Sequence, residues 1–145
     1  MAITQAIANA FKKQLLEGDQ NFASGGDKFK LALYTSSATL NSATTAYAAT
    51  NEVGDSGQYT AGGGALTGQT TSIASGVAIV DFADLSFTGV TLTARGALIY
   101  NTSSAVTNAA VAVLDFGADK TATSGTFTVQ FPAFTTAAAI LRISG

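Results

Sequence analysis

The sequence has no cysteine, no histidine and no tryptophan, and one proline among its 145 residues. Without cysteine there are no disulfides and no thiolate metal sites, so packing or association must hold the fold, and the redox compartment is left open. Without histidine the chain lacks the commonest general base at neutral pH and the commonest metal ligand, which excludes most hydrolase designs. Charge is scarce too. Asp, Glu, Lys and Arg make up 11% of the chain, against about a quarter in ordinary soluble domains. The seven cations, Lys12, Lys13, Lys28, Lys30, Arg95, Lys120 and Arg142, are scattered and the net charge is −2. No basic stripe exists for phosphates, so nucleic acid is not an expected partner. No apolar run approaches the roughly 20 residues of a membrane span. The opening Met1-Ala2-Ile3-Thr4-Gln5-Ala6-Ile7 also lacks the early positive charge and apolar core of a signal peptide. The expectation is a soluble chain made in the cytoplasm, with no membrane partner.

What is present is a chain 47% apolar and rich in Thr, Ser, Ala and Gly. That composition is not disordered, and the length suits one domain spanning residues 1–145. A surface so poor in charge predicts that part of it is covered by a neighbour.

Ile3, Ile7, Ala10, Phe11 and Leu15 recur at helical spacing, with Thr4 as a candidate N-cap and Gly18 beyond the last apolar turn. The pattern predicts an amphipathic helix over residues 2–18, packed on its own domain or donated to a neighbour. Phe29, Leu31 and Leu33 alternate with Lys30, Ala32 and Tyr34, which predicts a strand over 29–35. Residues 36–57 are Ser, Thr, Ala and Asn with few large apolar side chains, and read as a long loop or arm available to dock on another subunit. From residue 58 onward, short apolar runs bounded by Gly, Asn, Asp or Ser follow one another: 65–71, 77–82, 85–88, 92–100, 110–116, 126–131 and 139–143. Such punctuation predicts a mainly β fold, an antiparallel β-sandwich or jelly-roll-like barrel with one N-terminal helix.

The remaining chemistry is thin. Asp81 with Asp84, and Asp115 with Asp119, are carboxylate pairs open to acid–base work or calcium, but neither lies in a calcium-loop spacing, and aspartate beside a turn needs no further role. Gly63-Gly64-Ala65-Leu66-Thr67-Gly68-Gln69-Thr70 has phosphate-loop spacing with Gln69 where lysine is required, so its glycines point to a tight turn or a close approach. Asp115-Phe116-Gly117 spells a kinase triplet without the rest of a kinase. Asn101-Thr102-Ser103 is a glycosylation sequon expected by chance in so Thr-rich a chain. Arg95, inside an apolar run, needs solvent or a salt bridge, to Asp81, Asp84 or a neighbouring subunit. Tyr34, Tyr47, Tyr59 and Tyr100 are either core edges or surface for sugars and interfaces. No catalytic, cofactor or metal residue is assigned, and the chain is not expected to be an enzyme.

The order of blocks Phe11-Lys12-Lys13-Gln14-Leu15-Leu16-Glu17-Gly18, Phe29-Lys30-Leu31-Ala32-Leu33-Tyr34-Thr35, Tyr59-Thr60-Ala61-Gly62-Gly63, Ala94-Arg95-Gly96-Ala97-Leu98-Ile99-Tyr100-Asn101, Val111-Ala112-Val113-Leu114-Asp115-Phe116-Gly117 and Phe127-Thr128-Val129-Gln130-Phe131-Pro132 resembles a family of small structural proteins encoded among the virion genes of tailed bacteriophages. The resemblance covers nearly the whole chain and rests on packing motifs. It implies a virion location after synthesis in the host bacterial cytoplasm. Within the virion it implies a capsid decoration or cement subunit on the major capsid protein shell, forming a homo-oligomer for which the class suggests a trimer. The alternatives are a tail tube, adaptor or tip subunit, and a carbohydrate-binding β-sandwich for host adhesion. The residues expected at an interface are Ile3, Ile7, Phe11, Leu15, Tyr47, Tyr59 and Arg95.

Overall fold

The computed structural model describes residues 2–145. In chain order its elements are β1 (Ala6–Ile7), α1 (Asn9–Leu16), β2 (Phe29–Tyr34), β3 (Gly64–Ala65), β4 (Thr70–Ala74), β5 (Val77–Asp81), β6 (Leu85–Asn101), β7 (Ala109–Val129) and β8 (Leu141–Ile143). They form two antiparallel sheets, one ordered β1-β7-β6-β2-β3 and the other β4-β5-β8. The fold is therefore mainly β with one short N-terminal helix, consistent with a β-sandwich, as the punctuated apolar runs predict.

The runs at 85–88 and 92–100 are one 17-residue strand, and those at 110–116 and 126–131, the latter up to Val129, lie in one 21-residue strand. Thr88-Gly89, Gly117 and Ser124-Gly125 look like turns in sequence but act as bulges. Register slips occur between Phe87 and Val90, Val90 and Leu92, and Ala94 and Gly96, with positive φ at Gly89, Gly117 and Ser124. Each extra residue bends the ribbon without ending it. A true turn is Ser75-Gly76 between β4 and β5, where both residues have positive φ, as a two-residue hairpin with the right twist requires.

The helix is shorter than its apolar spacing predicts. It begins at Asn9, after an extended Ala8 that offers no side-chain cap, so Thr4 is not the N-cap. Ala6 and Ile7 instead pair with Val113 and Ala112 of β7, and Ile3 bridges Leu40. Ile3 and Ile7 satisfy extended and helical periods alike, and the free backbone edge of β7 decides for the extended form. At the other end Gly18 takes φ +82, the left-handed stop expected after the last turn.

Residues 36–57 contain no strand of their own, but they are not a free arm. Ala38, Leu40 and Val53 are buried. Backbone bonds run from Thr4 N to Leu40 O, Tyr47 N to Asn108 O, Ala110 N to Thr45 O and Val53 N to Leu33 O. The loop is bound along its length to the large sheet, which removes the basis for treating it as a detachable docking element.

Between the layers lies an aromatic cluster. Phe22 stacks on Phe29 with centroids 4.5 Å apart and meets Phe11 and Phe82 edge-on at 5.8 and 6.3 Å. Phe82 also packs against Phe29 and Phe131. One ring each from α1, the following loop, β2 and the segments after β5 and β7 thus closes the core. Offset and edge-to-face arrangements of this kind add to the area they bury.

Candidate functional site

The expected interface residues are dispersed, and most are used inside the chain. Ile3, Phe11 and Tyr59 are buried in the core, which removes them from any interface. Ile7 and Leu15 are half-buried against that core. The helix accordingly packs on its own domain, through Phe11. Arg95 Nε pairs with Asp115 Oδ1 at 3.2 Å, not with Asp81 or Asp84. Tyr47 stacks on Tyr100 with centroids 4.8 Å apart.

Two of the four tyrosines, Tyr47 and Tyr59, bond one acidic residue that the sequence pattern does not single out, and its charge acts on all four. Glu52 receives Tyr47 Oη at Oε1 (2.5 Å), and at Oε2 both Tyr59 Oη (2.7 Å) and the Gly62 amide (2.7 Å). Tyr100 donates to the Gly62 carbonyl at 2.6 Å and Tyr34 to the Ala48 carbonyl at 2.7 Å. Burial, then the Glu52 charge, pushes the Tyr100 phenol up to about 12. The same causes raise Tyr34, with burial first. For Tyr47 and Tyr59, burial is followed by the hydrogen bond to Glu52. Protonated phenols that donate to a carboxylate are fixed donors and poor proton carriers, so the cluster binds the long loop to the sheet. Tyr34, Tyr59 and Tyr100 are buried, and they present no ring face for a sugar.

The other polar groups are also engaged in the fold. Asn101 is fully buried; its Nδ2 donates to Gln20 Oε1 (2.9 Å) and Asp27 Oδ2 (2.7 Å), while Oδ1 accepts from the Ser103 and Ser104 amides. A sequon asparagine so enclosed cannot meet a glycosylating enzyme in the folded chain. Asp84 accepts the Phe131 amide at 2.8 Å. Asp115 accepts the Gly117 amide at 2.8 Å as well as Arg95, which explains the tight bulge at the kinase-like triplet. Asp81 Oδ1 is buried without a hydrogen-bond partner. Among the described residues no cluster of His, Cys, Asp or Glu has the makings of a metal site, and no helix is long and apolar enough to cross a membrane. The three glycines 62–64 serve a close approach within the chain: a Cβ on Gly63 would collide with the Leu31 carbonyl of β2.

What remains uncommitted is surface. Ile73 of β4, Ala78 of β5 and Ile143 of β8 stand in one row by register, and Ile73 and Ile143 are 74% and 57% exposed. A 260 Å³ groove lies between this sheet and α1, lined by Phe11, Leu15, Phe22, Val80, Leu141 and Ile143. Leu16 on α1 is 90% exposed. Single exposed apolar residues are ordinary, but a row across a sheet beside an apolar groove is not. The row was hidden in sequence because Ile73 sits in the polar stretch 70–74 and meets Ile143 only through the register.

A second groove, of 500 Å³, follows β7 and is lined by Leu114, Phe116, Phe127, Val129, Phe131 and Ile140 among others. No family model matches the chain, and no curated protein or solved structure is similar to it.

Proposed function

We propose that this protein is a structural subunit of a tailed-bacteriophage virion, a capsid decoration or cement subunit that binds the major capsid protein shell and associates with copies of itself. The observation that carries the assembly part is the exposed apolar row Ile73, Ala78 and Ile143 beside the α1 groove, in a chain only 11% charged. Low charge removes the repulsion that keeps monomers apart, and burial of such a row against a partner is worth about 25 cal/mol per Å². The virion part rests on the resemblance. Its blocks fall on α1, β2, the turn at Tyr59, the C-terminal half of β6 and both ends of β7.

The test is immunogold electron microscopy, with mass spectrometry, of purified virions of the phage that carries the gene. Gold over the shell is the expected result. Gold confined to the tail would replace decoration with the tail tube, adaptor or tip reading, and absence of the chain from purified virions would overturn the proposal.

A further inference from the structure

The strand edges of this fold are covered unevenly. On β7 the edge away from β6 is fully used near the strand's start. Ala8 N donates to Val111 O, Ala110 N to Thr45 O, and β1 pairs with Ala112 and Val113. The Gln5 side chain then accepts the Asp115 amide at 3.2 Å. On β6 the opposite edge is covered by β2 from Gly96 to Asn101. Farther out, Gln58 N donates to Thr88 O and Thr91 N to Ser56 Oγ. Among the described residues, no backbone group from another segment reaches the outer edge of β7 over residues 116–129. The other edge strands, β1, β3, β4 and β8, are two, two, five and three residues long.

An open edge on this scale invites a further strand, and monomeric proteins blunt such edges with lysine, proline, inward charge or bulges; β7 carries a bulge at Ser124-Gly125, beyond which Phe127–Val129 keep regular register. Here no charged residue stands between Lys120 and Arg142, and the one proline lies past the strand's end. The edge residues Thr121, Thr123, Thr126, Phe127, Thr128 and Val129 are strand formers. Beside them runs the 500 Å³ groove, whose exposed rim is Thr121, Thr126 and Thr128 over the buried Phe127 and Phe131.

We infer that the outer edge of β7, over residues 121–129, pairs antiparallel with the same edge of a second copy about a twofold axis. Self-pairing suits this edge because one surface supplies both partners. For any twofold centred between Ala122 and Thr128, Lys120 and Asp119 fall opposite uncharged residues, so no like charges meet. The inference deepens the assembly reading and rests on it for the premise that the chain associates. It names the partner and a contact on β7 that is separate from the exposed row of Ile73, Ala78 and Ile143.

The experiment is size-exclusion chromatography with light scattering on the purified chain and on two variants. Wild type should run at twice the 14.5 kDa chain mass. Thr123 and Thr126 are exposed, and the double variant Thr123→Lys/Thr126→Lys would bring four lysines onto the paired edges and weaken pairing about tenfold or more. Thr88→Lys, on the covered β6 edge, should leave the dimer intact. Should the double variant fail to fold, hydrogen exchange on wild type decides. Amides of 121–129 should gain protection as concentration rises, while amides of β2, already covered within the chain, should not. A wild-type monomer, a trimer unaffected by the lysines, or exchange at 121–129 independent of concentration would each overturn the pairing. A trimer of that kind found on virions would leave the proposed function standing, and a β7 dimer absent from virions would do the reverse.

Discussion

The Tyr59 phenol stands between Leu33 and Glu52: the Leu33 amide donates to its oxygen at 2.7 Å, and its own proton goes to Glu52 Oε2 at 2.7 Å. One fully buried hydroxyl thereby joins β2 to a carboxylate on the long loop. The carboxylate also holds Tyr47 and the Gly62 amide.

Removing that acceptor should cost more than an ordinary surface change. Glu52→Ala takes the acceptor from the Tyr59 proton and the Gly62 amide, and should lower unfolding free energy by about 2 to 4 kcal/mol. Glu52→Gln retains a carbonyl acceptor and should lose roughly half as much. Urea denaturation followed by circular dichroism measures both. Equal losses, or a loss below about 1 kcal/mol for Glu52→Ala, would show that the carboxylate does not hold the loop.

The tyrosine cluster also sets an alkaline limit. A phenol raised above its ordinary 10.0 keeps its proton in the folded state after the unfolded chain has released it. Its stabilising contribution is therefore complete below pH 10 and falls as pH rises toward the Tyr100 value of about 12. With no tryptophan in the chain, tyrosinate absorbance at 295 nm reads the phenols cleanly. Native protein should show little tyrosinate at pH 10.5 and gain it together with loss of the β signal. A simple titration centred at 10 in folded protein would contradict the arrangement.

Asn101 should tolerate neither truncation nor charge. Asn101→Ala strands the Ser103 and Ser104 amides together with Gln20, at a cost of about 2 to 4 kcal/mol. Asn101→Asp should be worse, because it would set a second carboxylate beside Asp27, where the Asn101 amide now donates at 2.7 Å. Thermal unfolding of the two variants at pH 7 gives the order. A more stable Asp variant would disprove the donor role assigned to Nδ2.

Two glycines with positive φ should answer differently to the same substitution. Gly76 has φ +75 and open space around it, so Gly76→Ala should cost only the left-handed strain of about 1 to 2 kcal/mol. Gly63 has φ +81 and lies against the Leu31 carbonyl, so Gly63→Ala should cost more than about 4 kcal/mol or prevent folding. Comparable melting temperatures for the two variants would rule out the close approach of Gly63 to β2.

The sheets were legible where alternation and turn chemistry agree, as in Phe29–Tyr34 and Val77–Asp81, whereas the run at 65–71 overlaps only one residue of β3 and the first two of β4. Legibility failed where one local pattern serves two structures. Ile3 and Ile7 fit a helix and a strand equally, and only the edge of β7 chooses. Gly89 and Gly117 permit a turn or a bulge, and the choice depends on a partner strand that the local sequence does not reveal. Residues 36–57 looked unpacked because their contacts rest on isolated side chains, Leu40, Val53 and Glu52, placed by residues far along the chain. The interface candidates were chosen for being apolar, the same property that places Ile3, Phe11 and Tyr59 in the core. The exposed row of Ile73 and Ile143, and the open edge of β7, exist only once strands are in register.

The covering of β7 by the N-terminal segment fixes the order in which this chain can mature. Gln5 meets its partner Asp115 across a separation of 110 residues, and β1 has no sheet to join until Ala112 and Val113 have been made. During synthesis, the segment that bears β1 is thus made well before the strand edge it joins. The β6–β7 ribbon can close locally, but β1, α1 and the long loop must wait for it. A nascent chain held short of residue 113 would carry its first helix and loop as unattached tails, and proteolysis of stalled nascent chains would cut there first.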